Sequence, residues 1–360
     1  MKQDDVKEGE AESMIGKALE LIHQGKTKEG IEILIQIYKA RKDEDALSLI
    51  MQYSPEMVRN AVGDDEAVSI ALYFADNKRY NLCMKILEEM DNDLGTEARV
   101  NCFLKANEIN LAWNEVQKFR DPSMRKVGEG IINSWLGRRE EAQKLFQEAL
   151  SLDGRNQEAL LNLAMLAIEK GDYFESVKYV ERLDVLPDEI ATELCEKLSD
   201  GNSLLRVAEK WAKNEPNRVE VSLCLSKAYD LQGNSENAIE ILEGIKDWRA
   251  SLFKGILLEK QGKLQESLDS LMAADSQCKH SQSEIIFEIA LVSFKLGAKH
   301  ALDKANEALE MARNSKNGVI QALACGLIYV MTGELRCSKG LLCANKDVVK
   351  RKLPSLDLEC

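Results

Sequence analysis

Apolar residues recur three and four apart along nearly the whole chain, the spacing that turns one face of an α-helix onto a core. From Ala11 the pattern runs through Met14, Ala18 and Leu21, breaks at Gly25, and resumes at Ile31, Leu34 and Ile37. It is clearest over 123–187, where one pattern is written twice. SMRKVGEGIINSWLGRREEAQKLFQEALSLDGRN is followed by QEALLNLAMLAIEKGDYFESVKYVERLDVLP, each an apolar helical stretch, a glycine and a second apolar helical stretch. Gly137 and Gly171 stand 34 residues apart, the period of a helix–turn–helix repeat. Alternating β-branched and polar runs bounded by turns, the mark of strands, are nearly absent.

The same pairing is expected over the rest of the chain. Residues 1–10 read as a disordered acidic leader. Residues 44–63 hold two shorter helical pieces, with Pro55 at an N-terminal helix position, and look like a truncated pair. Pairs follow at about 64–92 and 93–122, and a shortened one at 188–218, where Pro216 breaks the helix. Further pairs are expected at 219–247, 248–281, 283–316 and 319–349, with Gly233, Gly262, Gly297 and Gly333 in their turns, before a tail over 350–360. Each pair is too small to bury its apolar face alone, so neighbours must stack. With no Gly/Ser-rich linker, the expectation is one continuous all-α solenoid over 11–349, of about nine or ten helix pairs and degenerate at 44–63 and 188–218.

In the first clear copy, Gly130, Gly137, Ala142, Phe146 and Ala149 follow a small–turn–small–aromatic–small series. In the second, Leu160, Ala164, Gly171, Asp172 and Tyr173 fit, with Ser176 and Val180 at the small and aromatic places. The chain thus resembles the tetratricopeptide repeat (TPR) family. The resemblance implies a TPR-like α-solenoid, a right-handed superhelix of antiparallel helix pairs. In that family the first helix of each pair lines an inner groove, here Val127, Ile131, Ser134 and Trp135, then Glu158, Leu161, Asn162, Met165 and Glu169, then Leu252, Phe253 and Ile256. Such a groove would take an extended or helical segment of a partner protein. A register shifted by one residue would make the same side chains core, so both readings of Trp135 stand open.

The resemblance also implies what is missing. Members that grip chaperone C-termini carry a Lys–Asn pair that would fall on Val127/Ile131 or Leu161/Met165; only Asn162 matches an expected asparagine, so no chaperone carboxylate clamp is expected. The stretch 68–119, followed by EEAQKLFQEAL, resembles the epsilon subunit of the coatomer vesicle coat. Solenoid subunits of cell-cycle ubiquitin-ligase and RNA-processing complexes are comparable. The implied function is a non-catalytic scaffold or adaptor within a multiprotein assembly, with protein partners.

Charge and chemistry narrow this further. A net charge of −13 argues against nucleic-acid binding, which needs clustered Lys and Arg. The longest apolar run, Ala322 to Met331, is too short to span a bilayer, and the N-terminus lacks a signal-peptide core. Nine cysteines, odd in number and without a CxxC spacing, read as reduced thiols of a soluble cytoplasmic or nuclear protein. Of three histidines none has a metal-ligand spacing; His23 precedes Gly25 near a helix C-terminus. Cys278 and His280 share a polar loop, which leaves a thiol enzyme as a remote alternative, but no third orienting group is identifiable. Cys337 and Cys343 are expected on opposite faces of one helix. No catalytic, cofactor or metal site is expected.

Overall fold

The computed structural model describes residues 3–41, 43–279 and 282–356, with side chains from Ser13 onward. All its regular elements are helical, and no strand occurs among the described residues. Two compact units divide the chain, Met1–Gly171 and Asp172–Cys360.

The first unit opens with α1 (Gln3–His23) and α2 (Thr27–Arg41). Instead of a leader over 1–10, helix runs from Gln3, because no proline interrupts the stretch; residues 1 and 2 lie outside the described residues. Next come α3 (Glu44–Tyr53), a 3-10 turn begun by Pro55, and α4 (Val58–Val62). Three regular pairs follow in antiparallel stacks: α5 (Asp64–Asp76) with α6 (Tyr80–Ile86), α7 (Asp93–Lys105) with α8 (Ile109–Val116), and α9 (Pro122–Trp135) with α10 (Arg139–Leu152). The unit ends with α11 (Gln157–Glu169), packed on α10.

Local chemistry sets these boundaries. Asp43, Asn92, Asp121 and Asn156 each accept a hydrogen bond from the backbone N–H of the helix they precede, as N-caps do. Gly137, at φ +74°, ends α9 in the left-handed region, and Arg138 N–H donates back to Asn133 O at 2.9 Å to close the turn. Within the α9–α10 pair a Cβ on Gly130 would lie 2.4 Å from Phe146, so the glycine is what lets the two helices meet. Ala142, Phe146 and Ala149 complete that contact, all fully buried.

The second unit comprises α12 (Tyr173–Val180), α13 (Asp188–Lys197), α14 (Gly201–Asn214), α15 (Val219–Leu231), α16 (Ser235–Ile241), α17 (Trp248–Lys260), α18 (Leu264–Gln277), α19 (Ser283–Lys295), α20 (Ala301–Asn314), α21 (Gly318–Thr332), α22 (Lys339–Ala344) and α23 (Lys346–Lys352). Serines serve here as small residues at helix crossings. Ser226 Oγ donates to Ala238 O and Ser267 Oγ to Gly255 O, each at 2.7 Å. Buried Trp211 keeps its Nε1–H satisfied by Asp188 at 2.8 Å. The last pair departs from the pattern, since its second member splits into α22 and α23. Lys350 to Lys352, expected in a tail, belong to α23, and Leu353 and Leu356 beyond it are buried over Gly326. Cys360 and the rest of 357–360 lie outside the described residues.

The expectation of unpaired thiols is corrected. Disulfides join Cys83 to Cys102, Cys195 to Cys224 and Cys325 to Cys337, with Cα–Cα distances of 6.5, 5.6 and 6.2 Å, within the span such a bond needs. Each bond connects different helices or a helix and a loop, so the partners are close in space but not at a motif spacing. Cys337 precedes α22 and shares no helix with Cys343. His23 does close the last turn of α1.

Candidate protein-binding face

In the first unit, α9 and α11 lie side by side as first members of successive pairs. Trp135 is 53% exposed at the end of α9, and Met165 is 47% exposed on α11. Ile131, Ser134, Glu158, Leu161 and Asn162 are half-buried between solvent and core, and Glu169 is exposed at the end of α11. The core reading of Trp135 is therefore excluded. Val127, by contrast, is 1% exposed and belongs to the core. It lies one helical turn before Gly130, and residues three apart share a face; that face is the one packed against Phe146 of α10. Leu252 is misplaced for the same reason: it lies one turn before Gly255, which faces Leu271, and is only 7% exposed. Phe253 and Ile256, also in the second unit, are half-buried and pack against core clusters there.

The electrostatics of the first unit's face are uneven. At its edge, Lys105 of α7 pairs with Asp76 of α5, and Arg139 of α10 pairs with Glu169 of α11 at 2.9 Å. Asn162 Nδ2–H donates to Glu158 O at 2.8 Å, which fixes the amide along α11. Further in, burial pushes the Glu97 carboxyl of α7 up to about 7, with the neighbouring Glu158 carboxylate adding to the effect. Burial also raises Glu158. The face thus combines exposed aromatic and aliphatic surface with carboxyls that favour a proton or a cation. Sequence reasoning missed Glu97. Glu97 stands relative to the turn at Asn107 as buried Val127 stands relative to Gly137, a place where a carboxyl is unexpected.

Among the described residues no group of three or more His, Cys, Asp and Glu side chains is placed to hold a metal ion. No described helix is long and apolar enough to cross a membrane. Cys278 is half-buried just after α18, while His280, its expected imidazole neighbour, lies outside the described residues.

Residues 136–184 match the tetratricopeptide repeat family model. No curated protein matches the chain. Among solved structures, a thermophilic TPR protein of Thermus thermophilus is 19% identical over 57% of this chain and 98% of its own, with a TM-score of 0.31. The Naa15/Naa10 complex bound to HypK-THB gives 18% identity over 82% of this chain at a TM-score of 0.39; the chain spans 42% of that protein's length. The anaphase-promoting-complex hetero-tetramer Cut9–Hcn1 gives 10% identity over 94% of this chain and 86% of its own, with a TM-score of 0.34.

Proposed function

We propose, from the tetratricopeptide-repeat match over residues 136–184 and the paired helices along the chain, that this protein acts as a non-catalytic scaffold holding a partner protein within a larger assembly. The observation that carries this reading is Trp135, a large aromatic side chain left half in solvent, with exposed Met165 and half-buried Ile131 and Leu161 on the same two adjoining helices. An indole in that setting is the kind of anchor that dominates protein interfaces. The partner contributes an extended or helical segment whose apolar side chains are desolvated against these residues. Ser134 and Glu158 supply polar contacts at the margin. A chaperone C-terminus is not the proposed ligand, since the clamp places carry Val127, Ile131, Leu161 and Met165.

The test is one mutant measured two ways. Trp135→Ala should weaken binding of the protein that co-purifies stoichiometrically with the tagged chain by about 2 kcal/mol or more. Its melting temperature should stay close to that of the parent, because the indole is half exposed. Unchanged partner recovery would end the reading, and so would a chain that purifies alone and carries out a reaction.

A further inference from the structure

In the second unit, every residue of α19 from Ile285 to Ser293 is buried. Relative to Gly297, Leu291 and Lys295 hold the places that Ile131 and Trp135 hold relative to Gly137. Yet Leu291 is 1% exposed, whereas Met165, its counterpart before Gly171, is 47% exposed. Glu288, on the same helix, is 4% exposed. The residues after α22 pack on the neighbouring α21 and reach this helix through Lys352. Lys352 of α23 reaches back to Glu288 at 2.7 Å, and Val349, Leu353 and Leu356 join the core cluster that contains Leu291. Between this segment and the ends of α17 and α19 a cavity of about 540 Å³ is left, bounded by Glu259, Lys295, Arg351 and Pro354.

We propose that the face of α19 bearing Glu288 and Leu291 is a docking site for a cationic amphipathic segment of a partner protein, and that residues 346–356 hold it closed in cis. The site lies on residues separate from the Trp135 face and does not depend on it. Two physical arguments support the assignment. The covering segment is a seven-residue helix and a short extension, too short to be helical unless docked. Its described contacts with the core are those of Val348, Val349, Leu353 and Leu356 and the Lys352–Glu288 ion pair, and these are set against the ordering entropy of the whole segment. The chemistry of the partner follows from Glu288. An occupant without a cation would leave this carboxylate buried and unpaired, which is strongly disfavoured. The fitting segment therefore places a lysine or arginine where Lys352 sits, with aliphatic residues at the places of Val349, Leu353 and Leu356.

The probe is a fluorescent peptide of residues 344–356, titrated into full-length chains by anisotropy. Leu353→Asp releases the segment in cis without touching Glu288, and this chain should bind the peptide about tenfold or more tighter than the parent. A peptide with Lys352→Ala, or a chain combining Leu353→Asp with Glu288→Gln, should lose most of that gain. Absence of peptide binding by a folded Leu353→Asp chain would overturn the proposal, as would binding indifferent to both charge changes. Hydrogen exchange on the same variant closes the remaining route. Loss of protection throughout α17–α20 would make the segment a fixed part of the core and would equally overturn it.

Discussion

Glu97 sits half-buried on α7 with its carboxyl pushed up to about 7, first by burial and then by Glu158. The ordinary value is 4.5, so the folded protein holds this proton more tightly than the unfolded chain does. The linkage sign follows: the contribution is fully present below about 4.5 and is lost as pH rises toward about 7. Glu97→Gln should thus flatten the melting-temperature profile, leaving variant and parent alike near pH 4 and the variant more stable at pH 8. Thermal melts by circular dichroism at the two pH values check it, and an identical gap at both would refute the assignment. At this scale the sequence is legible where a residue type and a repeat position agree. The place of Trp135 before Gly137 fits groove or core alike, and its exposure decides against core. Val127 is not legible either, because the inward and the packed faces of a first helix are one residue apart and only the contact of Gly130 with Phe146 says which is which.

At the scale of elements, the turn between paired helices is a single conformational requirement met by different residues. Gly137 and Gly171 adopt φ of +74° and +75° without strain. In the shorter α5–α6 pair the same place is held by Lys78 at φ +60°, where a Cβ crowds the following carbonyl. Lys78→Gly should therefore stabilise the first unit by about 0.5–1 kcal/mol, net of the entropy glycine adds to the unfolded chain. Chemical denaturation reads this as a raised midpoint with an unchanged slope, and a lowered midpoint would show the lysine to be in contacts worth more than the strain. The helix pairs were readable from periodicity because each carries its own turn and its own apolar contact, Gly130 with Phe146 in one and Gly255 with Leu271 in another. The covering role of Leu353 and Leu356 was not, since two apolar residues after a basic run carry no period. The disulfides were hidden for a related reason: Cys195 on α13 meets Cys224 on α15 only once the pairs have stacked.

Over the whole molecule, stability in a stacked array is the sum of what each pair contributes and what it gains from its neighbours. α10 touches both α9 and α11, and Ala142 is fully buried on it at the place where α9 comes close. A glutamate there cannot fit beside Phe146 and would carry an unpaired charge into an apolar contact, at a cost of several kcal/mol. In a globular core such a change melts the molecule as one body. In an array the penalty falls first on the helices that share the contact. Ala142→Glu should accordingly strip hydrogen-exchange protection from α9, α10 and α11 while α17–α20 of the second unit keep theirs, and far-UV circular dichroism should report only a partial loss of helix. Equal loss of protection across both units would mean that the chain folds as a single cooperative block, and the additive account of its stability would have to be abandoned.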